Sequence, residues 1–143
     1  MPYSIEFISL QCLKNQELDG DEIYLKFNDQ VVFHWEDTGY HWAAELLIDD
    51  LTDYYDFRAN LLRTKQGNIA VGAYADYGFL FSGLEGESRV ELWESDEGNV
   101  FRGGDDDLGT LRITEANISN EAQQAQFTLQ NTHYVLTFGV YGE

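Results

Sequence analysis

Two segments of the chain gather carboxylates beside apolar runs: Glu17-Leu18-Asp19-Gly20-Asp21-Glu22, and Glu94-Ser95-Asp96-Glu97, which continues to Gly103-Gly104-Asp105-Asp106-Asp107-Leu108-Gly109. Oxygen donors at that density suit a hard divalent cation. Ca²⁺ takes roughly six to eight oxygens and tolerates irregular geometry, so carboxylates and backbone carbonyls from loops serve it better than they serve Mg²⁺. The two-residue spacing of Glu94 and Asp96 sends both side chains to one side of a strand end, where they can converge on one ion. Glycines at 98, 103, 104 and 109 let the intervening loop fold back and offer carbonyl oxygens. The same residues also fit a plain solvated acidic surface, because loops are where unpaired charge ordinarily goes.

Other chemistries have thinner support. An EF-hand loop begun at Asp19 or Asp21 lacks the required glycine and the closing glutamate, and Gly103-Gly104-Asp105 occurs once, without the repetition of a β-roll. His34-Trp35, His41-Trp42 and His133 supply three imidazoles for zinc or copper, but no His-x-x-x-His spacing brings them together, and aromatic packing or a surface position explains them. No Gly-x-Ser-x-Gly, P-loop or dinucleotide fingerprint is present, and Cys12 lies in an apolar alternation as a small hydrophobe; no catalysis is expected. Tyr40, Trp42, Tyr54 and Tyr55, if exposed, would form a stacking platform for sugars.

The bulk charge narrows the partners. Eight Lys and Arg against 26 Asp and Glu leave a net charge of -18, which repels phosphate backbones and excludes nucleic acid. Such a charge also strains the compact state by self-repulsion, which bound divalent cations would offset. Apolar residues make up 43% of the 143 residues and aromatics 15%, enough to fold one domain spanning 1–143. A single cysteine precludes an intrachain disulfide and a Cys-based zinc site. The stretch MPYSIEFISLQCLKNQ has neither a basic n-region nor a long apolar h-region, and no window is apolar enough to span a bilayer, so a cytoplasmic protein is expected.

The elements that must position these residues read as strands. Tyr3, Ile5 and Phe7 alternate, then Ile8, Leu10 and Cys12, a parity shift of the kind a β-bulge produces. Ile23, Leu25 and Phe27 define a second strand, and Asn28-Asp29 turns into a third with Val31, Phe33 and Trp35 on one face. Residues 37–56 read as a loop with at most one short helix around Ala43-Ala44-Glu45-Leu46-Leu47. Phe57 to Thr64 and Asn68 to Ala75 read as a hairpin, with strands at Tyr77 to Phe81, Arg89 to Glu94 and Leu108 to Thr114, and a final hairpin of Gln126 to Gln130 with His133 to Tyr141. The expectation is an all-β, antiparallel β-sandwich of about eight strands.

Two of these motifs, in this order, resemble C2 domains and C2-like sandwiches of bacterial proteins. Asp19-Gly20-Asp21-Glu22-Ile23-Tyr24-Leu25 is similar to the segment that opens a strand after that family's first calcium loop. Val90-Glu91-Leu92-Trp93-Glu94-Ser95-Asp96, followed by Asp106-Asp107-Leu108-Gly109, is similar to its third. The resemblance implies that Glu94, Asp96 and Asp106 are Ca²⁺ ligands from the third loop, joined by Asp21 and Asp19 from the first. Ile23 stands where the family has proline and Glu94 where it has aspartate. Many C2 domains dock on anionic lipid, yet each Ca²⁺ offsets only two charges here, so membrane docking is not expected. A protein or glycan partner beside the loops is. The alternative expectation is a metal-independent interaction or carbohydrate-binding sandwich.

Overall fold

The computed structural model describes residues 2–14, 21–38, 53–64, 67–69, 73–75, 79–95 and 105–143. Twelve strands run through them: β1 Tyr3–Lys14, β2 Asp21–Phe27, β3 Gln30–Thr38, β4 Asp53–Asp56, β5 Leu61–Thr64, β6 Gly67–Ile69, β7 Ala73–Ala75, β8 Leu80–Leu84, β9 Ser88–Glu94, β10 Asp106–Ile113, β11 Gln123–Phe127 and β12 His133–Gly142. They form two antiparallel sheets, so the all-β sandwich holds with more strands than the eight or so anticipated. One sheet has the order β11-β12-β1-β4-β5-β6 with β8 also paired to β1, and the other has the order β10-β9-β2-β3-β7. Two 3-10 turns, Glu115–Asn117 and Leu129–Asn131, are the helical elements among the described residues. None of the described residues forms a helix long and apolar enough to cross a membrane.

The parity shift in β1 organises the larger sheet. Along β12 the register slips between Phe7 and Ser9, where the alternation predicts a bulge. Residues before the slip pair with β8 and residues after it pair with β4. An extra residue bends a strand and increases its twist, which lets one long strand serve two partners in succession. Buried Tyr3, Ile5 and Phe7 on one side of the bulge and Leu10 and Cys12 on the other therefore all face the core.

In the smaller sheet, Asn28 and Asp29 take φ of 48° and 71°, the left-handed pair that a two-residue hairpin requires. Asn28 is held from the side as well: its Oδ1 accepts from Arg89 N at 2.8 Å, and its own N–H donates to Arg89 O at 2.9 Å. A second slip opposite Leu25 and Lys26 inserts one residue into β3, so Val32, Phe33 and Trp35 are buried rather than Val31, Phe33 and Trp35. Phe7 and Phe27 meet edge-to-face at 6.2 Å, and Phe33 lies 4.8 Å from Tyr55, so rings from both sheets interlock. The Tyr3 hydroxyl, fully buried, lies 2.8 Å from Ser88 Oγ and 2.8 Å from Gly86 O, tying β1 to the start of β9.

Two expectations for the middle of the chain need correction. Phe57 to Asn60 is a turn joining β4 to β5, and the strand precedes it, at Asp53–Asp56, inside the stretch that reads as a loop. Leu62 pairs with Ile69, while Ala73–Ala75 leaves that hairpin to pair with β3 in the other sheet. β8 and β9 likewise belong to different sheets despite their short connection. The anticipated helical turn at 43–47 lies outside the described residues.

Candidate functional site

Antiparallel register brings part of the acidic set to one end of the smaller sheet. β9 ends at Glu94, which pairs with Ile23 of β2 on one side and with Asp106 of β10 on the other. Asp21, the first residue of β2, lies two positions from Ile23 towards that same end, and Ser95 N donates to Glu22 O at 2.7 Å to continue the β2–β9 ladder. Side chains directly opposite each other in an antiparallel pair share a face, with Cβ atoms about 4.5–5.5 Å apart, and like charges so placed repel. Glu94 is only 2% exposed and Asp106 is half-buried. Two neighbouring carboxylates, one of them at the edge of the core, form the kind of environment that favours a bound cation.

A tight bend follows Asp106. The β9–β10 register slips between Asp107 and Gly109, where Gly109 has φ of 146° and its N–H donates to Asp107 Oδ1 at 2.9 Å. A Cβ at Gly109 would stand 2.7 Å from Phe127 Cδ1, so no larger residue fits the bend as built. Carboxylate oxygens are the donor type a hard divalent cation takes, but two placed carboxylates fall short of the roughly six to eight oxygens that Ca²⁺ needs. Among the described residues, no three His, Cys, Asp or Glu side chains are gathered to hold an ion. Asp19 and Asp96 lie outside the described residues.

On the outer face of the same sheet lies a feature that the reading of the sequence missed. Along β2 the buried Ile23, Leu25 and Phe27 alternate with Glu22, Tyr24 and Lys26, which face outward. Register sets Tyr24 beside Trp93 of β9 and His34 of β3, with Tyr74 of β7 at the next pairing position. The Tyr24 and His34 rings are 6.5 Å apart and tilted by 41°, and Lys26 Nζ lies 5.4 Å from the centre of the Trp93 ring. Tyr24 donates a hydrogen bond to Asp105, and its hydroxyl is held well above the usual tyrosine pKa, chiefly by burial and then by that carboxylate. On this face Glu22, Tyr24, Lys26, His34, Ser95 and Asp105 are among the residues that line a groove of about 320 Å³. The signal was available in the alternation of Glu22, Tyr24 and Lys26 against the apolar face.

The other sequence-predicted groups are dispersed. Tyr55 is 1% exposed and packs among Phe33 and Phe57, so it is a core residue and no part of a sugar platform. Tyr54 is half-buried on β4, while Tyr40 and Trp42 lie outside the described residues. His34 sits on the smaller sheet, whereas His133 opens β12 in the larger one and bonds Gln126 Oε1 at 2.9 Å. Cys12 is buried, as its apolar setting predicts.

Together the two sheets and their ends define an antiparallel all-β sandwich with an acidic end and an aromatic outer groove on the smaller sheet. No family model matches the chain, and no curated protein matches it. Among solved structures it is similar to Drosophila C2-DSL-EGF1, with a TM-score of 0.41 and 9% identity, over 99% of this chain and 68% of that one.

Proposed function

We propose that the chain is a C2-like, Ca²⁺-binding module of the cytoplasm, a binding protein and not an enzyme. Its ligands would be Glu94 and Asp106 with Asp21, Asp19 and Asp96, and the ion would order loops that present a surface to a protein or glycan partner. The observation that carries this reading is the pairing of buried Glu94 directly opposite Asp106. A divalent cation converts that like-charge pair from a repulsion into a chelate. The net charge of -18 gives the whole molecule the same preference for cations and argues against nucleic acid or anionic lipid as partner.

Isothermal titration of chelator-stripped protein with Ca²⁺, with Mg²⁺ as control, tests the reading. A saturable Ca²⁺ isotherm that Mg²⁺ does not reproduce, weakened by Glu94→Gln and by Asp96→Asn, is the expected result. It should be accompanied by a gain in stability of about 2.7 kcal/mol when free Ca²⁺ is a hundredfold above Kd. Weak, unsaturated binding shared equally by both ions would reduce the carboxylates to a solvated surface.

A further inference from the structure

The outer groove of the smaller sheet has a composition that the calcium reading does not use. Its floor is β2, along which Glu22, Tyr24 and Lys26 follow one another at alternate positions. At roughly 3.3 Å per residue they span about 13 Å, a run from carboxylate through aromatic ring to ammonium. Across the strands, Tyr24 and His34 offer adjacent ring faces, and Ser95 and Asp105 add a hydroxyl and a second carboxylate at the acidic end. At about 320 Å³ the groove is within the range of small-ligand sites.

This combination selects its occupant by chemistry. A phosphate-bearing ligand is repelled by Glu22, Asp105 and the net charge. A polycation would meet those carboxylates but also Lys26, and a purely apolar partner would leave charged groups desolvated. A sugar satisfies all of them. Each hydroxyl both donates and accepts, so it can bond a carboxylate at one end and an ammonium at the other, while the C–H face of a pyranose ring lies against an aromatic side chain that carries a polar tip.

We propose that this groove binds a neutral oligosaccharide, with pyranose faces stacked on Tyr24 and His34 and hydroxyls bonded by Glu22, Lys26, Ser95 and Asp105. The site uses neither Tyr54 nor Tyr55 and needs no metal ion.

Saturation-transfer NMR and isothermal titration against short cello-, xylo-, manno-, galacto- and chito-oligosaccharides, all in EDTA, test it. At least one series should bind with one-to-one stoichiometry and a Kd of about 10 μM to 1 mM. His34→Ala should weaken that binding about tenfold, and Tyr24→Ala should abolish it. Tyr24→Phe should keep most of it because the ring remains, and Leu129→Ala, at an exposed position on the other sheet's margin, should leave it unchanged. Melting curves establish that each variant is folded, and should Tyr24→Ala fail to fold, the exposed His34→Ala decides. The proposal is overturned if no series binds in EDTA, or if a folded His34→Ala variant binds as well as the parent. Because EDTA is present throughout, failure here leaves the calcium reading to its own titration.

Discussion

Glu6 shows how one side chain ties two strands, β1 and β12, to the turn between β4 and β5. Its carboxylate accepts from Arg58 Nη2 at 2.7 Å, from Arg58 Nε at 2.9 Å and from Tyr141 OH at 2.8 Å. Tyr141 reaches it by lying across Gly139, the residue paired with Glu6, where a Cβ would stand 2.4 Å from the tyrosine oxygen. The Arg58 guanidinium, acting against the opposite pull of burial, holds Glu6 below the ordinary carboxylate pKa. A depressed folded-state pKa means that the stabilisation is full above the unfolded value and is lost as pH falls through the folded one. Thermal melts of the parent and Glu6→Gln should therefore differ at pH 7 and converge as the pH drops below the ordinary glutamate pKa of 4.5. A gap that stays constant down to strongly acid pH would mean that the ion pair contributes nothing.

At the scale of elements, the bend in β10 is the most exacting joint. Gly109 combines a φ closed to most side chains with the close approach of Phe127, so Gly109→Ala should lose about 1–3 kcal/mol in urea unfolding. Gly83→Ala is the control: its φ is also positive, at 68°, but nothing lies within 4 Å of the added carbon, so it should cost distinctly less. Equal losses at the two sites would show that backbone conformation alone, and not packing on Phe127, sets the cost. The same comparison bears on the candidate cation site, since the bend follows Asp106, the residue paired with Glu94. Some elements were legible from local pattern, notably the β1 bulge and the Asn28-Asp29 turn, because both are written in a few consecutive residues. β4 was not, since Asp53, Tyr54 and Asp56 carry little apolar alternation and the strand exists through pairing with Ser9–Cys12 far away in sequence.

For the whole molecule, a charge of -18 on a compact sandwich makes self-repulsion a global term. Raising NaCl from about 0.01 to about 0.5 M shortens the screening length from about 30 Å to a few Å, and the melting temperature at neutral pH should rise with it. A flat or falling curve would mean that local ion pairs such as Arg58–Glu6 and Arg112–Glu87 outweigh the net repulsion. The sequence by itself determined that the chain builds an antiparallel all-β sandwich, that its surface is acidic, and which strand faces are apolar. Those properties follow from composition and from a two-residue period, both of which are local. Only the tertiary structure decided that β8 and β9 part into different sheets, that Tyr55 is core, that Asp106 stands opposite Glu94, and that Tyr24, His34 and Trp93 fall in one row. Each of these depends on cross-strand register between distant segments, and alternation states which way a side chain faces without stating which strand it will face beside.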